Sequence, residues 1–204
     1  MLLIVAEPDD LNRSEHQLRA RLDEHGYDVA LVADDGLNLG RVAPHDLIIV
    51  SKTVTSTRLS ALHDSPAGVL TWEDNLQMIG LLGMIDDDGS RGTAWHRTGT
   101  TVYVDPTAPH DLRVGLSGEV TIYREPDEIT YGPNVGDAAT TVATVERGDR
   151  RAAYYAYEVA AALPDGARAA GRRVYFPLYD DSFRKLTEDG LALFDAAVVW
   201  AAGR

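Results

Sequence analysis

The most constraining stretch of the sequence is residues 68–80, GVLTWEDNLQMIG. The apolar run at its start predicts a buried strand, and the polar break TWED at residues 71–74 ends that strand. Apolar residues then recur at helical spacing through Leu76, Ile79 and Leu82, which predicts a helix. A strand that turns abruptly into a helix is typical of an open parallel sheet, where ligands bind beyond the carboxyl ends of the strands.

The first half of the chain repeats this alternation. A continuous apolar run at residues 2–6, a mainly apolar run at 27–32 and a second continuous run at 47–50 predict three more strands. A helical pattern ending near Gly26 separates the first two runs, and residues 56–63 predict a short helix before the strand at residue 68. This rhythm predicts a parallel sheet with helices on both faces, so the loops after its strands should meet at one edge.

The second half has a different character. Short β-prone runs predict strands at residues 100–104, 119–123, 138–145, 152–162 and 172–177. The turn Pro164-Asp165-Gly166 predicts a reversal between two antiparallel strands, and a last helix is predicted to begin near Thr187 or Glu188. We therefore expect an α/β fold, a single domain over residues 1–204, with a mostly parallel central sheet and antiparallel additions in the C-terminal half.

Composition and charge exclude several classes of function. The chain has 204 residues, 45% of them hydrophobic, and a formal net charge of -13. A protein with this much negative charge has few lysine and arginine side chains to bind phosphate groups. We therefore expect neither a nucleic-acid partner nor binding to an anionic membrane surface. No cysteine is present, which excludes disulfides and a cysteine nucleophile. The N-terminal run is short and lacks a basic region, so we expect a cytoplasmic protein.

Several segments together resemble a known family. They are DLIIVS at residues 46–51, VLTWE at 69–73, HDL and GLSG within 110–118, RRVYFPL at 172–178, and LTEDG with the closing LFDAAVVWA between 186 and 201. With this order of elements, the chain resembles the ThuA-like branch of the class I glutamine amidotransferase-like superfamily. The resemblance implies a flavodoxin-like three-layer α/β/α sandwich and, through the link of ThuA-like proteins to sugar metabolism, a sugar-like ligand.

The resemblance also shows what this chain lacks. Catalytic members of the superfamily carry a cysteine on the sharp turn after a central strand, with a histidine nearby as base. The matching turn here, residues 71–74, has Glu73 where a nucleophile would be needed. Amidotransferase, cysteine protease and glyoxalase chemistry of that type is therefore not expected, and a binding or accessory module is the first hypothesis.

Two residues are candidates for catalysis. Glu73 lies at the predicted turn, where its carboxylate is either a general base and hydroxyl acceptor or, with Asp74, a plain cap of the following helix. Lys52 follows the strand at residues 47–50, so it should border Glu73. A pair of this kind is either catalytic or an ordinary loop salt bridge.

Ligand-binding candidates lie on the same predicted loops. They are Glu7, Ser51, Trp72, Asp74, His110, Asp180 and Asp181. Trp72 either stacks on a sugar face or is buried. The resemblance places His110 where family members have a loop-ordering His-Pro pair, and places Asp180 and Asp181 in a strand-end loop near the pocket, without the histidine that other members carry there.

No motif predicts a metal or a cofactor. The chain has no His-x-x-x-His or His-Glu-x-x-His spacing and no glycine-rich nucleotide motif. The acidic loop at residues 86–92 lacks the later glutamate of a calcium loop and is interpreted as a solvated turn. His96 lies in a segment that the patterns do not place.

Three hypotheses remain open at this point. The first is a binding module, which predicts an open cleft with Trp72 exposed. The second is a carbohydrate- or keto-sugar-active enzyme, which predicts that Glu73, Lys52 and Asp180 or Asp181 converge within hydrogen-bond reach. The third is a structural or oligomerisation domain whose own loops fill that edge. A homo-oligomer interface at Tyr155 and Tyr157 is expected only if that pair is exposed.

Overall fold

A computed structural model describes residues 1–35, 37–89 and 95–203, with residue 39 described by its backbone alone. Part of the acidic loop predicted at residues 86–92 lies outside this range. The strands are β1 (Leu2–Val5), β2 (Ala30–Ala33), β3 (Leu47–Val50), β4 (Gly68–Thr71), β5 (His96–Gly99), β6 (Thr101–Val104), β7 (Gly118–Thr121), β8 (Asp127–Thr130), β9 (Thr140–Thr144), β10 (Ala152–Tyr157) and β11 (Arg173–Tyr175).

Four α-helices and three 3₁₀ helices connect these strands within the described residues. The α-helices are α1 (Arg13–Glu24), α2 (Leu39–Val42), α3 (His110–Arg113) and α4 (Glu188–Ala201). The 3₁₀ helices are Ser56–Asp64, Asp74–Gln77 and Phe183–Lys185. None of these helices is long and apolar enough to cross a membrane.

The mixed α/β fold is confirmed, and its sheet has two parts. Nine strands follow the order β2-β1-β3-β4-β11-β10-β9-β6-β7. Every pair from β2 to β11 is parallel, and every pair from β11 to β7 is antiparallel. We call these parts the parallel half and the antiparallel half. The antiparallel additions therefore lie in the C-terminal part of the chain, as predicted, and β11 joins the two halves.

The centre of the parallel half is buried on both faces, because β1 and β3 are apolar at every position and β4 is apolar up to Thr71. The edge strand β2 is only partly buried. Leu3, Ile49 and Leu70 point into one core cluster, which contains the apolar side chains of α1 and α4. Their neighbours along the strands point into a second cluster, which contains Leu59 and Leu62 of the 3₁₀ helix Ser56–Asp64. Burial of one such side chain contributes about 1.5–3 kcal/mol, so this doubly covered sheet is a stable platform for its edge loops.

Local signals explain the ends of the two long helices. Asn12 caps α1 in a reciprocal capping box, and Gly26 follows that helix with a left-handed φ of 79°. Thr187 caps α4, as the sequence predicts, by accepting a hydrogen bond from the Gly190 N–H.

The predicted helix after Glu73 is wrong beyond its first turn. The structure has only the 3₁₀ helix Asp74–Gln77, and Ile79 on the predicted apolar face is 38% exposed. Gly80 and Gly83 adopt left-handed φ values of 84° and 64°, which fold the chain back instead of continuing a helix. The helix predicted at residues 56–63 is likewise a 3₁₀ helix.

The sequence patterns missed a two-stranded ribbon, the antiparallel pair β5–β8. Its strands carry polar and charged residues at most positions, so they lack the apolar signal that marks the other strands. Tyr155 and Tyr157 do not form the exposed pair that an oligomer interface would need, because both side chains are completely buried.

Candidate functional site

One lysine and two carboxylates meet beyond the carboxyl ends of β3 and β4. The Lys52 Nζ lies 3.0 Å from the Glu73 Oε2 and also contacts the Asp74 carboxylate. The three side chains are only 13%, 3% and 13% exposed, so the ion cluster is nearly dry. Burial lowers the pKa of Lys52, but the two carboxylates outweigh it and hold that pKa above its ordinary value. Lys52 is therefore a cation shared by two negative charges.

The Glu73 side chain caps the 3₁₀ helix Asp74–Gln77 and also pairs with Lys52. Its Oε1 accepts hydrogen bonds from the backbone N–H and the side-chain amide of Asn75, at 3.2 and 3.0 Å. The Thr71 hydroxyl accepts the Glu73 N–H at 3.0 Å, which holds the turn. Burial raises the pKa of Glu73, and the nearby Lys52 charge opposes this increase without cancelling it.

A second buried network fixes the loop that carries Lys52. The Glu15 carboxylate, on a residue 4% exposed, accepts hydrogen bonds from the Ser51 and Thr53 hydroxyls, both at 2.7 Å. The Asn12 N–H donates to the same carboxylate at 3.0 Å. Sequence reasoning missed Glu15, although the Asn-x-x-Glu spacing of a capping box was available as a signal. Ser51, a predicted ligand-binding residue, is thus occupied in positioning the loop.

An aromatic ring lies beside the ion cluster. The Lys52 Nζ is 5.4 Å from the centre of the Tyr179 ring, and the His96 ring centre is 5.6 Å from the same ring. The His96 Nδ1 lies 3.3 Å from the Glu128 Oε1. Burial raises the pKa of Tyr179, as does the charge of Glu128, while Lys52 acts in the opposite sense. These residues form a continuous polar group from Lys52 to Glu128.

The ribbon β5–β8 presents one face to this edge. His96 pairs with Thr130, and Thr98 pairs with Glu128, so the alternation of side chains places His96, Glu128 and Thr130 on the same face. The Thr130 hydroxyl donates to the Leu178 carbonyl at 2.9 Å, which fastens this face over the segment after β11. The site is therefore built by two sheets, and the sequence patterns identified only one of them.

Tyr175, the last residue of β11, adds a buried phenol to the same region. Its side chain is 0% exposed, and its hydroxyl lies within hydrogen-bond reach of the Thr130 side chain. Burial raises its pKa well above the ordinary value, and the negative charges of Asp74 and Glu73 raise it further. The ring stacks on Tyr155 at 5.4 Å between ring centres, so the phenol is rigidly held.

The other acidic candidates do not converge on Lys52. The Asp181 carboxylate accepts a hydrogen bond from the Ser14 hydroxyl at 3.0 Å and pairs with Arg184, which directs it toward α1. Asp180 is exposed, and so is Glu7 in the loop after β1. The convergence of Asp180 or Asp181 with Glu73 and Lys52, which the enzyme hypothesis predicted, is therefore not observed among the described residues, and Asp74 contacts Lys52 instead.

Trp72 and His110 need correction as ligand-binding residues of this site. Trp72 is 3% exposed and packs edge-on against Phe194 at 6.2 Å, so it lies in the core and cannot stack on a ligand. The exposed Trp72 that the binding-module hypothesis predicted is therefore wrong. His110 begins α3, which follows β6. Because β6 runs opposite to β11, its carboxyl end lies at the other edge of the sheet, far from Glu73.

The described residues contain no group of three His, Asp or Glu side chains that could hold a metal ion. Four surface cavities, of about 500, 920, 270 and 440 Å³, lie away from the ion cluster, and none of these four is lined by Lys52, Glu73 or Asp74. What the arrangement offers chemically is a fixed set of hydrogen-bond acceptors, one ammonium donor and an aromatic ring.

Comparison with known proteins adds no relative to this description. No protein-family model matches the chain, and no curated protein shows significant sequence similarity to it.

Proposed function

We propose that the protein is a ThuA-like domain of the class I glutamine amidotransferase-like superfamily, with a flavodoxin-like three-layer arrangement. In this proposal it binds a small sugar-like ligand and performs no cysteine chemistry. The parallel half supports the fold assignment, since its strands are covered on both faces by α1 and α4 on one side and by the 3₁₀ helix Ser56–Asp64 on the other. The turn after β4 supports the loss of cysteine chemistry, because Glu73 stands there.

The observation that carries the proposal is the Lys52–Glu73–Asp74 cluster beside the Tyr179 ring. Carboxylate oxygens accept hydrogen bonds from sugar hydroxyls, and an ammonium group donates to ring or carbonyl oxygens. An aromatic ring packs on the apolar C–H face of a sugar. Tyr179, which is half-buried, supplies in this proposal the aromatic surface that the sequence assigned to Trp72.

Calorimetric or NMR titration with a panel of neutral monosaccharides and disaccharides tests this proposal. We expect Glu73→Gln and Lys52→Met each to weaken binding by about 10-fold or more, since each removes one partner of a charged hydrogen bond. Glu146→Gln is the matched control, because this 59% exposed glutamate forms an ion pair with Arg97 outside the site. Binding that survives both site variants unchanged contradicts the proposal, and absence of any binding favours a structural domain.

A second candidate function is acid–base catalysis on a carbohydrate or keto-sugar. The raised pKa of Glu73 favours it, because a carboxyl group whose pKa moves toward neutrality is a better general acid or base. Lys52→Met removes the positive charge that opposes this shift, so the pKa of Glu73 should rise further.

NMR titration of the Glu73 carboxyl carbon in both proteins measures that change, with assignment confirmed by Glu73→Gln. For the enzyme hypothesis, the pH profile of turnover should move in the same direction in Lys52→Met. A profile that stays in place while the carboxyl pKa moves excludes Glu73 as the acid or base.

A further inference from the structure

We infer that the open edge of β2 is a docking site for an extended peptide segment with an apolar centre and with lysine or arginine at both ends. Such a segment would extend the nine-stranded sheet by one strand. This inference goes beyond the proposed function, because it concerns another part of the molecule and another class of partner. It is carried by unpaired backbone groups, by the contrast with the other outer strand of the sheet and by the charges around β2.

The backbone of β2 is hydrogen-bonded on one side only. The N–H groups of Ala30 and Asp34 donate to carbonyl oxygens within residues 1–5, both at 3.1 Å. Because successive residues of a strand direct their backbone groups to opposite sides, the N–H and C=O groups of Leu31 and Ala33 point away from β1. Within the described residues β2 is the outermost strand, so these groups are a template for one more strand.

The other outer strand, β7, is paired at its carboxyl end with another segment of the chain. The Thr187 N–H donates to the Ile122 carbonyl at 2.9 Å, and the Thr187 hydroxyl donates to the Thr121 carbonyl at 2.7 Å. The Arg124 N–H donates to the Lys185 carbonyl at 2.9 Å, so this segment runs antiparallel to the chain that leaves β7. No such segment pairs with β2 in the described part of the chain.

The sequence of β2 also lacks the features that natural edge strands use against pairing. Its four residues, ALVA, include no lysine and no proline, and its register with β1 runs without a bulge. The strand is only partly buried, so a partner reaches it from solvent. This edge is therefore both unpaired and unprotected by its own residues.

Carboxylates on both sides of β2 select the partner. Asp28 lies before the strand and Asp35 lies after it, and both residues are exposed. In the described residues neither carboxylate forms a hydrogen bond or an ion pair. The nearby Arg58 does pair with a carboxylate, but with that of the buried Asp34, at 2.8 Å. An unpaired negative charge at each end of a short apolar strand favours a segment with a positive charge at each end.

The same charges disfavour a second copy of the chain as the occupant. If β2 paired antiparallel with β2 of another copy in the register centred on Leu31, Asp28 of each copy would lie opposite Asp34 of the other and next to its Asp35. Like charges opposite each other destabilise a strand pair. The net charge of -13 adds repulsion between copies and attraction toward a basic partner.

Fluorescence anisotropy of the full chain with a labelled peptide tests the inference. The probe is a short amidated peptide of alternating valine and threonine with a pair of lysines at each end. Its counterpart has glutamates in place of the lysines. We expect the lysine peptide to bind at least about 10-fold more tightly, with an affinity that falls as the salt concentration rises. Equal affinity of the two peptides, or no binding of the lysine peptide, overturns the inference.

Ala33→Pro shows whether the peptide binds at this edge. It removes one outward N–H group and leaves the hydrogen bonds from Ala30 and Asp34 in place, as an edge strand allows. We expect it to lower the affinity for the lysine peptide by about 5-fold or more, because one hydrogen bond is lost. Ala33→Thr is the matched control, since it keeps the N–H group, and it should keep the affinity. Equal binding by wild type and a folded Ala33→Pro variant, as judged by circular dichroism, overturns the inference.

The double variant Asp28→Asn, Asp35→Asn changes exposed side chains only, so it tests the same edge without depending on the folding of the proline variant. The lysine peptide should lose most of its advantage over the glutamate peptide, and an unchanged advantage overturns the inference. Sedimentation velocity without peptide tests the other occupant. A dimer that Ala33→Pro abolishes would assign this edge to a second copy and overturn the inference, whereas a monomer agrees with it.

Discussion

The two halves of the sheet use the same kind of strand but arrange the strand ends differently. In the parallel half every strand ends at one edge, so the residues that follow β3 and β4 meet as the Lys52–Glu73–Asp74 cluster. In the antiparallel half successive strands end at opposite edges, and His110 is carried away from that cluster. Polar residues after a strand therefore gather into one site only where the strands are parallel.

Strand β11 belongs to both halves, since it pairs in parallel with β4 and antiparallel with β10. Tyr175 stands at its end near the site, and Arg173 stands at the opposite end with 0% exposure. The Arg173 guanidinium donates to a set of backbone carbonyls that belong to Leu62, His63, Ser65, Ala67 and Arg172. Arg173 therefore stabilises β11, the strand that connects the parallel half to the antiparallel half.

The largest expected effect is that of Arg173→Met. It removes the donors of several buried carbonyls at once, so we expect the free energy of unfolding to fall by about 3 kcal/mol or more. Urea unfolding followed by circular dichroism measures it. Arg172→Met is the matched control: this neighbour is 28% exposed, bonds Glu158 and the Trp200 carbonyl, and should cost about 1 kcal/mol. Equal effects of the two variants would show that β11 does not depend on Arg173.

A smaller loss of stability is expected from removing the N-terminal cap of a helix, either α1 or α4. Asn12→Ala in α1 and Thr187→Ala in α4 should each lower the free energy of unfolding by about 1 kcal/mol. Only Asn12→Ala should disturb the site, because its capping-box partner Glu15 holds Ser51 and Thr53 next to Lys52.

NMR chemical shifts of Lys52 and Glu73 distinguish the two cap variants. Shifts that move in Asn12→Ala and stay in place in Thr187→Ala agree with the proposed link from α1 to the site. Thr187 instead donates to the Thr121 carbonyl at 2.7 Å, on the antiparallel side. Movement in both variants would mean that the site responds to general loosening of the fold.

The smallest expected loss of stability comes from breaking the ion pairs of His63, which connect the two halves of the sheet. His63 lies between Asp64, at 3.0 Å, and Asp165 of the turn between β10 and β11, at 2.9 Å. Hydrogen bonding to Asp64 raises the pKa of His63, burial opposes the increase, and Asp165 adds to it. The raised folded-state pKa means that this stabilisation is complete below the ordinary histidine pKa and is lost as the pH rises through the folded-state value.

We therefore expect His63→Asn to lower the free energy of unfolding by about 0.2–1 kcal/mol near pH 5.5 and by less near pH 9. Urea unfolding at the two pH values measures the difference. His110→Asn is the control, because its exposed side chain lies outside this ion pair. A His63→Asn effect that grows with pH would contradict the assignment.

The sequence predicted best where residues were uniformly apolar. The bounds of β3 match the predicted run at residues 47–50, because a strand buried on both faces has no polar positions that blur its limits. The strand β4 extends by one polar residue, Thr71, into the predicted break. The ribbon β5–β8 was missed, since its polar strands lack an apolar pattern and are held by contacts such as the hydrogen bond from the Thr130 hydroxyl to the Leu178 carbonyl. Apolar periodicity likewise failed after Glu73, where the 3₁₀ helix ends at Gln77 because Met78 is already extended, with a ψ of 162°.

The candidate site was predictable only in part. Lys52 and Glu73 follow strands that the sequence identifies, so the rule of parallel strand ends places them together. Glu128 lies inside the antiparallel strand β8, where the same rule offers no reason to select it, and Tyr175 ends a strand that the sequence predicted to be antiparallel. Their approach to the cluster depends on how the ribbon and β11 pack, which involves contacts between residues far apart in the chain.

The sequence by itself determined the parallel half, because runs of apolar residues must be buried and the polar turns after them must reach one edge. It also determined that this chain supplies no cysteine nucleophile. Only the tertiary structure decided which polar residues share that edge. The directions of β6 and β11, and the position of the ribbon β5–β8 over the sheet, follow from packing. Those long-range contacts buried Trp72, removed His110 and brought Glu128 to Tyr179.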